Sequence, residues 1–121
     1  MITNEVINMV GQSCRPDQAA DLVKWYEVRH IPDLMKNPGL KRAHRAELLY
    51  DGKSTMGYPE QNYPMFLNIY EFDDQQAFED YTKGLSRPRG MPSGGQVPYS
   101  SNDPVERVWR VQYKIVRVWE R

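Results

Sequence analysis

Two histidines, eight tyrosines, three tryptophans and one cysteine are the side chains of this 121-residue chain best suited to proton transfer, stacking or nucleophilic attack. His30 stands out among them. It lies in the run WYEVRHIPDLMKNPG, Trp25 to Gly39, where Ala19, Leu22, Val23, Tyr26 and His30 recur at three- and four-residue steps. That spacing puts all five on one face of a helix. An imidazole gives or takes a proton near neutral pH, which suits enolisation, decarboxylation or cyclisation of a carbonyl compound. The competing expectation is a core histidine hydrogen-bonded to a neighbour. Trp25, Tyr26, Tyr70, Trp109 and Tyr113 would form an aromatic wall for a flat, apolar ligand, with tyrosine hydroxyls able to polarise a carbonyl. At the same spacings they would also serve as plain core. Asn68, Glu71 and Arg110 are candidates for orienting a polar substituent, and Arg87 and Arg89 for meeting a carboxylate.

The other chemical options are weaker. His44 is the second histidine, and it is expected at a surface or interface unless its strand face turns toward the helices. The histidines and scattered carboxylates show no metal-ligand spacing, so no metal site and no cofactor are expected. Cys14 precedes Arg15-Pro16 in a turn with no histidine near it in sequence, so a structural role is expected rather than a nucleophilic one. Ser93-Gly94-Gly95 lacks the strand-to-helix setting of a phosphate loop.

The elements that must position these residues follow from periodicity and punctuation. Glu5 to Gln12 alternates as a strand. Pro16 suits the first turn of a helix running to about Lys36, with a kink expected near Ile31 because Pro32 lacks a backbone donor. Asn37-Pro38-Gly39 stops it, with Gly39 free to take positive φ. Leu40 to Tyr50 and Met65 to Phe72 are strands, separated by a Gly-, Ser-, Pro- and Asn-rich loop. Asp73 or Asp74 caps a second helix to about Lys83, with Phe78 and Tyr81 or Ala77 facing inward and Gly84 closing it. Residues 85–104 form a long proline- and glycine-rich loop. Val105 to Trp119 is the last strand.

The order β-α-β-β-α-β in one α+β domain spanning 1–121 predicts a four-stranded antiparallel sheet with two helices on one face, the ferredoxin-like arrangement. Ile7, Met9, Leu67, Ile69, Trp109, Val111 and Tyr113 are expected on the helix side. The opposite face mixes Asn8, Asn68, Tyr70, Arg110, Gln112 and Lys114 with Val6, Val10, Val108 and Phe66. It is expected to meet a second copy in a homodimer. Basic and acidic residues balance at 16 each, which argues against nucleic acid and anionic membranes as partners. No apolar run approaches the roughly 20 residues of a membrane span. The N-terminus lacks a signal-peptide pattern, and one cysteine cannot form an internal disulfide, so a cytoplasmic setting is expected.

The element order, together with Trp25-x4-His30-x-Pro32, Pro38-Gly39-Leu40 and the stretch YPMFLNIYEFDDQQAFEDY, resembles the EthD-like branch of the dimeric α+β barrel superfamily. The resemblance implies that fold, a homodimer and a ligand pocket between sheet and helices. Superfamily members include cofactor-free lyases, isomerases, cyclases, decarboxylases and monooxygenases, and also haem-binding enzymes. The function expected here is cofactor-independent acid/base chemistry on a small apolar, carbonyl-bearing or aromatic substrate, with His30 as proton shuttle. Alternatives are a non-catalytic ligand-binding or stress-related barrel, and a haem- or oxygen-using monooxygenase.

Overall fold

The computed structural model describes residues 2–49, 63–83 and 106–121, and of residues 106–109 only the backbone. Strands β1 (Val6–Ser13), β2 (Leu40–Glu47), β3 (Phe66–Phe72) and β4 (Glu106–Lys114) form one sheet in the order β2-β3-β1-β4. Every pairing is antiparallel. A long helix joins β1 to β2 and a second helix, Gln75–Thr82, follows β3. The split β-α-β order expected from the sequence is the order observed. The expected loops fall largely outside the described residues, together with Gly84, Arg87, Arg89 and Ser93-Gly94-Gly95.

The long helix is irregular for an identifiable reason. It opens as a 3₁₀ turn at Pro16–Gln18, continues as α-helix over Ala19–Trp25, widens to a π-turn at Tyr26–His30, and closes as α-helix over Ile31–Leu34. Ile31 N–H donates to the carbonyl of Tyr26, five residues back. Pro32 sits within the last α-helical turn, so the disturbance lies one turn upstream of the kink expected at Ile31. A proline at 32 has no N–H for the carbonyl four residues earlier, and the wider turn accommodates that loss.

Asn37 ends the helix. Its Nδ2 donates to the Leu34 carbonyl at 2.7 Å and its backbone N–H to the same carbonyl at 3.0 Å. Gly39 is needed for closeness rather than for positive φ. A Cβ there would lie 2.6 Å from the Ala77 Cβ on the second helix. That helix is capped by Asp74, whose Oδ1 accepts from Ala77 N–H at 2.8 Å.

The sheet faces are the reverse of those expected. Val6, Tyr70 and Phe72 pack with Leu34 and Tyr81 from the helices, while Phe66 packs with Leu22, Trp25 and Tyr26. Ile31 touches both clusters. Asn8 and Asn68 are buried on the same side. Ile7, Met9, Leu67, Ile69 and Val111 lie on the opposite, helix-free face, each only half-buried. Both alternating sets are apolar, so polarity alone could not orient the sheet. The aromatic bulk of Phe66, Tyr70 and Phe72 decides it, because those rings fill the space beneath the helices.

Candidate functional site

The π-turn assembles the helix side of the site. In a regular α-helix, residues five apart lie about 140° round the axis from each other. Widening the turn brings them back into line. Trp25 and His30 accordingly stack, with ring centroids 4.4 Å apart and planes 13° from parallel. Tyr26 meets His30 edge-on at 5.7 Å and Trp25 edge-on at 5.0 Å. Trp25 and Tyr26 are buried, whereas His30 is half-exposed. The helical spacing foresaw the Tyr26–His30 pair; the π-turn adds Trp25 to it.

The sheet supplies a polar floor through two cross-strand rows. One reads Arg110, Val10, Asn68, Arg45 from β4 to β2; the next reads Gln112, Asn8, Tyr70, Ala43. Asn68 is 0% exposed, and neither its Oδ1 nor its Nδ2 has a hydrogen-bond partner among the described residues. Asn8 is 2% exposed, and its Oδ1 accepts from Gln112 Nε2 at 2.9 Å and Arg110 Nε at 3.4 Å. Burial holds the Tyr70 phenol far above its ordinary pKa. The neighbouring Tyr26 and Tyr81 add to that shift and the Arg110 guanidinium offsets part of it. Tyr70 is therefore a neutral hydrogen-bond donor across the working pH range.

The expected site residues divide between the two faces. Trp25, Tyr26, Asn68 and Tyr70 are buried between helix and sheet, and His30, half-exposed, stacks on Trp25. Tyr113 pairs in register with Ile7 on the helix-free face and is 58% exposed, so it belongs to no aromatic wall with the others. Trp109 pairs with Gly11 in the backbone ladder, and its side chain lies outside the described residues. His44 is also on the helix-free face, where its Nε2 bonds the Glu71 carboxylate. Arg42 Nε stands 3.7 Å from that same carboxylate. Glu71, a candidate for orienting a substrate, thus lies on the face away from the helices. Burial, then the Asp17 carboxylate, push the Cys14 thiol up, which keeps it in the poorly nucleophilic thiol form. An open groove between Ala19, Val23, Leu48 and Phe66 lies toward the start of the long helix, away from His30. Among the described residues, no group of three or more His, Cys, Asp or Glu is placed to hold a metal ion. No described helix is long and apolar enough to cross a membrane.

Sequence reasoning missed Asn8 and Gln112 as parts of the floor. Each is unremarkable in its own strand. Only the register between strands shows that Asn8 lies beside Tyr70 and Gln112.

Comparison with known proteins places the architecture. The chain has the ferredoxin-like α+β fold, the class that the strand order and the one-sided helices define. Among solved structures it is similar to a candidate monooxygenase from Shewanella loihica PV-4, at 13% identity over 98% of this chain and 99% of that one, with a TM-score of 0.54. It is similar to a dimeric ferredoxin-like protein of unknown function from Jannaschia sp. CCS1, at 13% identity over 92% and 99%, with a TM-score of 0.52. An EthD family protein from Bacillus halodurans C-125 aligns at 21% identity over 66% and 70%, with a TM-score of 0.44. No family model and no curated protein matches the chain.

Proposed function

We propose that this chain is an EthD-like enzyme that performs cofactor-independent acid/base chemistry on a small apolar, carbonyl-bearing or aromatic molecule held between the long helix and the sheet. His30 is the proton shuttle. The observation that carries the proposal is the half-exposed His30 ring, stacked on Trp25 at 4.4 Å at a π-turn, in a domain whose central strand also buries the Asn68 amide with no partner among the described residues. π-turns recur at functional sites, and an orphaned buried amide is costly unless something uses it.

The chemistry follows from these groups. His30 takes a proton from the carbon next to the substrate carbonyl, and the released electron pair moves onto the carbonyl oxygen. The neutral Tyr70 phenol offers its O–H as a donor to that developing enolate. The stacked Trp25 ring orients the imidazole and offers an apolar surface. His30 then returns the proton to carbon at the same or another position.

The chain works as a single domain, paired as a homodimer, in the cytoplasm. Support for the pairing comes from the helix-free face, where Ile7, Met9, Leu67, Ile69 and Val111 have no cover from their own chain's helices. A second sheet stacked about 10 Å away would bury them. The Jannaschia protein of the same fold is dimeric by its description.

His30→Ala tests the assignment. The variant is expected to keep its circular dichroism and its ligand affinity while losing turnover about 10²- to 10⁴-fold. Unfolding of the variant, or full turnover, would instead make His30 structural. Oxygen uptake coupled to turnover would favour the oxygen-using reaction for which the Shewanella protein is named.

A further inference from the structure

We propose that the natural ligand carries a carboxylate and that Arg110 binds it at the β4 side of the cleft, with Asn8 as a positioning residue. The inference rests on the cleft being a ligand site at all, and adds what that ligand must contain. The row Arg110–Val10–Asn68–Arg45 has an arginine at each end. Their surroundings differ. Arg45 is already neutralised, with Glu47 at 3.0 Å and Glu27 at 3.7 Å, and its guanidinium lies over the Phe66 ring at 6.0 Å. Arg110 has no carboxylate partner among the described residues. Its Nε donates to the Asn8 Oδ1 at 3.4 Å, and its terminal nitrogens have no partner among the described residues.

That arrangement is built rather than incidental. Asn8 is fully enclosed, and Gln112 Nε2 fixes the same Oδ1 at 2.9 Å. A wholly buried amide whose carbonyl oxygen receives both side chains holds Arg110 toward the helix side of the sheet. The guanidinium is exposed, so a ligand can reach it, and near enough to Tyr70 for its charge to act on the phenol. The terminal N–H groups of a planar guanidinium match the two oxygens of a carboxylate. In the same cross-strand row lies Asn68, a wholly enclosed amide with no partner among the described residues. The ligand that fits is a flat acid with its carboxylate at β4 and its carbonyl or ring toward Trp25 and His30.

Matched probes test this. 2-Naphthoate and 2-acetonaphthone share a ring system and differ in charge. Their affinities are measured calorimetrically with the full chain and with Arg110→Gln, a substitution at an exposed position. Wild type is expected to bind the naphthoate about 10- to 100-fold more tightly than the ketone. Arg110→Gln is expected to erase that preference and leave ketone affinity unchanged. Asn8→Ala is expected to weaken the preference without abolishing it. Equal binding of the two probes by wild type, or full naphthoate affinity in Arg110→Gln, would overturn the role of Arg110 while leaving the cleft as a ligand site. Binding of neither probe would overturn both.

Discussion

Replacing Asn68 by valine should make the protein more stable. Asn68 is wholly enclosed in β3, a central strand, and both polar atoms of its amide lack partners among the described residues. A buried amide without hydrogen bonds costs about 1–3 kcal/mol relative to one that is satisfied. Valine removes both orphaned atoms, fills much of the same volume and suits a central strand. A stabilisation of about 1–2 kcal/mol is therefore expected, discounted for an imperfect fit. For a chain of 121 residues each kcal/mol corresponds to roughly 4 °C in Tm. The assay is urea denaturation of both proteins at one protomer concentration, with the slope on denaturant unchanged between them. A loss of more than about 2 kcal/mol of stability would refute the reasoning, because it would mean that the amide is hydrogen-bonded in the folded protein.

Three further outcomes are expected. Gly39→Ala places a methyl group against the Ala77 Cβ and should cost about 1–3 kcal/mol by thermal denaturation, with Ala77→Gly in the same chain recovering part of it. Tyr70 holds its proton more tightly in the folded chain than in the unfolded one. Its contribution is therefore complete below the unfolded phenol value of about 10 and is lost as pH rises above it, at up to about 1.4 kcal/mol per pH unit. Tyr70→Phe should remove that part of the alkaline slope in denaturant melts taken from pH 9 upward. Ile69→Asp, on the helix-free face, should convert a dimer into monomers by light scattering while the circular dichroism is retained, and an unchanged mass would place the partner elsewhere.

Much of the fold was legible because it is written in local signals. The Asp74 cap, the Asn37-Pro38-Gly39 stop and the alternation of β3 each depend on a few neighbouring residues. The orientation of the sheet was not legible. Ile7, Met9, Leu67 and Ile69 are as apolar as any core set, and a face that awaits a partner has the same composition as one that awaits a helix. Asn8, Asn68 and Tyr70 therefore read as outward residues, yet they are buried beneath the helices. The Trp25–His30 stack was also hidden, because five-residue spacing becomes a neighbour relation only where a helix widens. Pro32 signalled a disturbance without saying that it would fall one turn earlier. Arg110 could be singled out as a cation, but only the register shows that Asn8 holds it and that its counterpart Arg45 is already neutralised.

The central claim, that His30 moves protons at a carbon beside a carbonyl, is tested most directly by exchange with solvent deuterium. A methyl ketone or keto acid with an aromatic ring is incubated with the protein in deuterated buffer, and loss of its α-proton signals is followed by NMR. Wild-type protein is expected to accelerate exchange well above buffer, and His30→Gln, with the same circular dichroism, to lower that acceleration about 10²- to 10⁴-fold. Exchange no faster than buffer with the wild-type protein, or an equal rate with His30→Gln, would contradict it.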